Sequence, residues 1–269
     1  MKKPIVIDLF SGAGGFSEGF RQAGYNIVCG VDINEDCRKS YQMNFKEAKF
    51  INQDIREVPT KKILSICNLS EGDVDVIIGG PPCQGFSHAG KRLVDDPRNV
   101  LFKEYVRIVN EIRPTYFIME NVVGLVTMAN GKFKKEILET FQEIGYTVDV
   151  KILNAADYGV PQNRHRTIFI GNKIGNPISF PSPTHSENSE NGLYKRTTVE
   201  EAIEDLPPLG IGVGAEVMEY NNITTSLYQL YMRGIISYEE WLEGCHPNSL
   251  PDSIMTLYNH WTTDTKDKT

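Results

Sequence analysis

The chain has 269 residues, 40% of them hydrophobic, enough to bury one sizeable core and begin a second lobe. No apolar run reaches membrane-spanning length, and Met1-Lys2-Lys3 leads straight into a strand pattern instead of a signal-peptide core, which points to the cytoplasm. The formal charge of −7 is unevenly placed: residues 1–170 hold 22 Lys and Arg against 21 Asp and Glu, while 171–269 hold 6 against 14, so only the first part can present a basic face to phosphates.

Strand-like and helix-like segments alternate from the start, which predicts an α/β fold with a doubly wound, mostly parallel sheet. Strands are expected at 5–10, 27–31, 49–51, 74–78, 116–119, 147–153 and 167–170, and helices at 15–23, 35–45, 101–112 and 132–144. In the helix over 101–112, Leu101, Tyr105, Ile108, Val109 and Ile112 share one face and Pro114 is the stop. After Gly171 the character changes. Pro177, Pro181, Pro183 and the polar run 186–191 read as a linker or loop, followed by a short helix at 198–205 and the breaker Pro207-Pro208. From Gly210 the periodicity is weak, and 262–269 read as frayed. The expected division is a domain over 1–175, a linker with a short helix over 176–209, and the start of a small lobe over 210–269.

The five cysteines are scattered, never spaced as CxxC and never near a histidine pair, so neither a disulfide framework nor a metal site is supported. Cys83 stands out by position. It follows Gly79-Gly80-Pro81-Pro82 at the end of an apolar run, and the prolines, lacking N–H groups, stop the strand ladder there. A single cysteine is ordinarily a small hydrophobe, but this one is expected on the rim of a sheet, within reach of a substrate.

The rim holds further chemistry. Asp8-Leu9-Phe10-Ser11-Gly12-Ala13-Gly14-Gly15 lies between the first strand and first helix, where glycines let a ligand approach the backbone and a helix N-terminus favours an anionic group. Asp32 ends the second strand, where an acidic side chain accepts hydrogen bonds from ribose hydroxyls. Together they predict an adenosine-containing cofactor. Asp54, after the third strand, could meet an adenine edge. Ligands of such sheets bind outside the carboxyl ends of the strands, and the 8–15 turn, Asp32, Asp54, Cys83 and Glu120 all follow strand ends.

Phe10-Ser-Gly-Ala-Gly-Gly, Pro81-Pro82-Cys83-Gln84, Glu120-Asn121-Val122 and Gln162-Asn163-Arg164-His165-Arg166, in this order and spacing, resemble the motifs of the cytosine-5 DNA methyltransferase family. The match is close over residues 4–171 and weaker to Leu206-Pro207. The resemblance implies a Rossmann-like domain that uses S-adenosylmethionine, held by Phe10, Ser11, Gly12, Gly14, Gly15, Asp32, Ile33, Asp54, Ile55, Pro82 and Leu101. It also implies double-stranded DNA as partner, with a flipped cytosine as target, and a restriction-modification or epigenetic setting.

The family's chemistry suits these side chains. C5 of cytosine is too weakly nucleophilic to attack a methyl sulfonium unaided, and addition of the Cys83 thiolate at C6 makes C5 enamine-like. Glu120, carrying or sharing a proton near ring N3, would neutralise charge building there. Arg164 and Arg166 are assigned by the resemblance to anchoring substrate and lowering the thiol pKa. The base that removes the C5 proton has no candidate side chain, and water could serve. Gln84, Ser87, Lys91, Arg92 and Arg98 belong to a stretch similar to the family's active-site loop.

A full-length family member would continue past Thr269 with a recognition lobe and a Gln-x-Gly-Asn-x-Val segment. Tyr228-Gln229, Met232-Arg233 and Asn259-His260 resemble the opening of that lobe. The expectation is therefore either a truncated enzyme or the catalytic subunit of a split one, with a second subunit as possible partner. A tRNA cytosine-5 methyltransferase and a catalytically silent, partner-binding remnant stay open as alternatives.

Overall fold

The computed structural model describes residues 2–82, 100–127, 131–212, 214–215, 217–219 and 226–244. The chain divides into two compact units, Met1–Leu153 with His165–Phe180, and Asn154–Arg164 with Pro181–Thr269. Both are built around segments that bury apolar side chains.

The first unit is a seven-stranded sheet of β1 (Ile5–Leu9), β2 (Asn26–Asp32), β3 (Lys49–Asn52), β4 (Val76–Gly79), β5 (Tyr116–Asn121), β6 (Thr147–Asn154) and β7 (His165–Asn172). Its order is β3-β2-β1-β4-β5-β7-β6. The pairs among β1 to β5 are parallel, and β7 runs antiparallel to β5 with Glu120 opposite Ile168 and Asn121 opposite Thr167. Every residue of β1 is buried, as expected of a parallel strand covered on both faces. The two-residue period of the strands divides the core. Val6, Ile27, Val76 and Ile78 pack with Tyr41 and Phe45, while Ile7, Leu9, Ile77, Phe117, Met119 and Phe169 pack on the opposite side.

The helices are α1 (Gly15–Gln22), α2 (Glu35–Asn44), α3 (Thr60–Ile66), α4 (Val100–Ile112), α5 (Gly124–Thr127) and α6 (Lys132–Glu143). Asn34 starts α2 by accepting the backbone N–H groups of Asp36 at 2.9 Å and Cys37 at 3.2 Å, which satisfies two otherwise orphaned donors. The buried stripe of α4 contains Phe102, Tyr105, Ile108, Val109 and Ile112, so the expected apolar face forms with Phe102 added and Leu101 only half-buried. The short α3 had no sequence signal. It follows Pro59, has no side-chain cap and runs seven residues, and its burial of Thr60, Ile63 and Leu64 comes from packing.

In the second unit, β8 (His185–Ser186) pairs in parallel with β9 (Tyr194–Lys195), and α7 (Val199–Ile203), α8 (Leu227–Met232) and α9 (Tyr238–Gly244) follow. The weak periodicity after Gly210 hides α8 and α9, because they are short and are held by rings instead of by an aliphatic stripe. Trp241 stacks on Tyr231 at 5.3 Å and 10° and on His185 at 5.5 Å and 16°. The run 186–191, expected as linker, contributes to β8, and His185 just before it is buried in this stack. The frayed tail expected at 262–269 lies outside the described residues. Among the described residues no helix is long and apolar enough to cross a membrane.

Candidate active site

The carboxyl ends of β1 to β4 surround a cavity of about 640 Å³ lined by Phe10, Asp32, Ile33, Asp54, Ile55, Gly80, Pro82 and Leu101 among others. Each wall has a local cause. Phe10 ends β1 with a left-handed backbone (φ 59°), a conformation that costs a non-glycine residue on the order of 1–3 kcal/mol and is held here because the aromatic ring packs on the core. Asp32 ends β2, and both its oxygens are fixed by backbone: Oδ2 accepts from Gly12 N–H at 2.9 Å and Oδ1 from Asn34 N–H at 2.9 Å. Each oxygen keeps acceptor capacity for a ligand hydroxyl. Asp54 caps a 3-10 turn over Ile55–Glu57, and Arg56 grips both its oxygens. That guanidinium holds the Asp54 carboxyl below the usual range.

Of the residues assigned to the cofactor from sequence, Phe10, Asp32, Ile33, Asp54, Ile55, Pro82 and Leu101 line the cavity, whereas Ser11, Gly12, Gly14 and Gly15 do not. These four shape the turn behind it. Gly14 has φ 96°, and a Cβ there would stand 2.4 Å from the Phe45 ring, so only glycine lets α1 begin so close to α2. Beneath the turn, the Ser17 hydroxyl donates to Asp8 Oδ2 at 2.7 Å and lies 2.9 Å from the Tyr41 hydroxyl. Burial pushes the Asp8 carboxyl up to about 7.

On the neighbouring strand end stands the second half of the rim. Glu120 closes β5, and its Oε1 accepts from Arg166 Nε at 2.6 Å, both side chains being about 30% exposed. The antiparallel entry of β7 makes this pair possible, because it sets the first residues of β7 beside the last residues of β5. A Cβ on Gly80 would lie 3.2 Å from Glu120 Oε2, so the residue bordering the cavity also borders the carboxylate. Asn121 donates to the Pro81 carbonyl at 2.9 Å, a buried bond that anchors the proline turn. Arg164 belongs to the second unit, where its backbone N–H donates to Asn154 Oδ1 at 3.0 Å. Cys83, Gln84, Ser87, Lys91, Arg92 and Arg98 lie outside the described residues.

Gln53, part of the 52–55 stretch read from sequence, also lines the cavity, and so do Val31, Arg56 and Val100, which that reading did not single out. Arg56 directly follows the stretch and could have been found by extending it one residue.

The arrangement combines a cavity having apolar walls and two fixed acids with an adjacent carboxylate–guanidinium pair. It can hold a ligand with hydroxyl and aromatic parts and stabilise charge on a second molecule beside it. The family model for C-5 cytosine-specific DNA methylase matches residues 5–246. Type II methyltransferase M1.HphI of Haemophilus parahaemolyticus is 41% identical over 254 residues, covering 93% of this chain and 64% of its own length. Type II methyltransferase M.AquIA of Picosynechococcus is 39% identical, over 76% of this chain and 89% of its own. A crystal structure from E. coli, described as a prophage-encoded DNA modification methyltransferase, aligns with a TM-score of 0.61 at 31% identity, over 77% of this chain and 56% of that one. The chain thus spans less than two thirds of the length of two of these three.

Proposed function

Because the chain belongs to the C-5 cytosine-specific DNA methylase family, we propose that it carries the catalytic apparatus for methylating C5 of cytosine in DNA, with S-adenosylmethionine as methyl donor. The observation that carries this reading is the position of Gly80, which borders both the cavity and the Glu120 carboxylate. A ligand in that cavity and a base held by Glu120 would be neighbours.

The cavity's donor set fits the cofactor. Asp32 has acceptor capacity for the two ribose hydroxyls, Ile33, Ile55, Leu101 and Pro82 offer apolar surface to an adenine ring, and Asp54 can accept from its amino group. When bound, S-adenosylmethionine supplies an electrophilic methyl group. The chain's own residues do the rest. The Cys83 thiolate adds to C6 of the cytosine, forming the S–C6 bond and moving electron density to C5 and N3. Glu120, braced by Arg166, would hold a proton at N3 and offset the developing charge. Once C5 carries the methyl group, loss of the C5 proton to a base expels the cysteine by elimination and restores the aromatic ring. Arg164 would anchor substrate.

The test is trapping on duplex DNA containing 5-fluorocytosine with labelled S-adenosylmethionine. Fluorine blocks loss of the C5 substituent, so the expected product is a labelled covalent protein–DNA adduct that Cys83→Ser abolishes. No adduct on DNA overturns the reading, and an adduct on 5-fluorocytosine tRNA alone would redirect it to RNA.

A further inference from the structure

The two sides of the cavity come from distant parts of the chain, and one side chain ties them. Ile55 and Arg56 stand on the 3-10 turn after β3, and Val100 and Leu101 form the first turn of α4. Two turns further along α4, half-buried Arg107 reaches across to the first wall. Its Nη2 donates to the Val58 carbonyl at 3.1 Å and the Ile55 carbonyl at 3.4 Å, and its Nη1 donates to the buried Thr60 hydroxyl at 3.2 Å. Glu104, at 2.7 Å from Nε, and Glu111, at 3.3 Å from Nη1, orient the guanidinium from its own helix. The planar fork of arginine suits this set of divergent acceptors, and a lysine ammonium at the same place could not span them.

On the cofactor reading given above, we infer that Arg107 is a positioning residue for cofactor binding: it fixes the distance between the Ile55 wall and the Leu101 wall without touching the ligand. Its bond to the Ile55 carbonyl ties the wall itself, its bonds to Val58 and Thr60 tie the segment that carries that wall onward, and their loss lets the walls separate.

The measurement is calorimetric binding of S-adenosylhomocysteine to the parent chain, to Arg107→Lys and to a control, Arg113→Lys, together with melting temperatures. Arg113, just past the other end of α4, donates to the Ile144 carbonyl and lies over the Tyr146 ring, so it is a comparable helix-end tie remote from the cavity walls. Arg107→Lys is expected to weaken binding about tenfold, the equivalent of roughly one to two net hydrogen bonds, with a melting temperature no lower than that of Arg113→Lys. Arg113→Lys is expected to bind as the parent does. Parental affinity in Arg107→Lys, or equal weakening in both variants, overturns the inference. If the parent itself binds no S-adenosylhomocysteine, the cofactor reading fails and takes this inference with it.

Discussion

In the first unit, Asp32 is met by two N–H groups, Asn121 by the Pro81 carbonyl and Asp8 by the Ser17 hydroxyl, while the buried Ser11 hydroxyl has no hydrogen-bond partner. In the second unit, the interior is a column of rings in which Trp241 lies between His185 and Tyr231, and the buried His185 Nε2 has no hydrogen-bond partner. Directional bonds fix the position of a functional group to within a fraction of an ångström, while stacked rings hold shape and volume. The contrast predicts that substitutions at the strand ends of the first unit act on chemistry and that those in the ring column of the second act on packing.

Substitutions can break that division. The largest effect is expected from Glu120→Gln, which removes a charged partner of Arg166 and should lower methyl transfer by about 10²–10⁴-fold while S-adenosylhomocysteine binding is kept. Unchanged turnover would remove Glu120 from the chemistry. Next, Trp241→Ala should cost about 3–5 kcal/mol of stability in denaturant titration by emptying the ring column. The division fails if this variant loses cofactor affinity in proportion. Asp32→Ala should weaken S-adenosylhomocysteine by about 2 kcal/mol, roughly thirtyfold, since it removes charge-assisted acceptors and frees the N–H groups of Gly12 and Asn34. Equal binding by calorimetry would show that the cavity takes its ligand elsewhere.

The effect that is smallest per pH unit is a slope in stability. Asp8 titrates near 7 in the folded chain because burial disfavours its charge, against 3.8 for the free side chain. Between those values the folded state holds a proton that the unfolded state has released. Stability therefore falls as pH rises from about 4 to 7, by at most about 1.4 kcal/mol per unit from this group, and the slope ends above 7. Asp8→Asn should flatten that part of the stability curve, and a parallel curve for the variant would assign the proton to another group.

How much of this was legible in the residues follows the same division. The strands of the first unit were readable because a two-residue period and continuous apolar runs survive in sequence, and Asp32 and Asp54 were readable because they stand where those runs stop. Arg107 was not, since an arginine on a helix is ordinarily solvated and only the fold brings Ile55, Val58 and Thr60 beneath it. Helices α8 and α9 were hidden for another reason: they are short and held by rings, most of them neighbours in the chain such as Tyr231 and one, His185, far from Trp241. The glycine turn was legible as a turn, but its work is in letting α1 pack against Phe45, one layer behind the cavity wall.

The late place of β7 in the chain has a consequence for the order in which the protein is made. Synthesis from the N-terminus delivers the Asp32 and Asp54 sides of the cavity early, then the strand bearing Glu120, and only after α6 and β6 does the ribosome release Arg166. On the proposed reading, a nascent chain halted before His165 would own the residues assigned to the cofactor but not the Arg166 that braces Glu120. Ligand capture and catalytic competence would thus be acquired at different moments of translation, the second waiting on the last strand to enter the sheet.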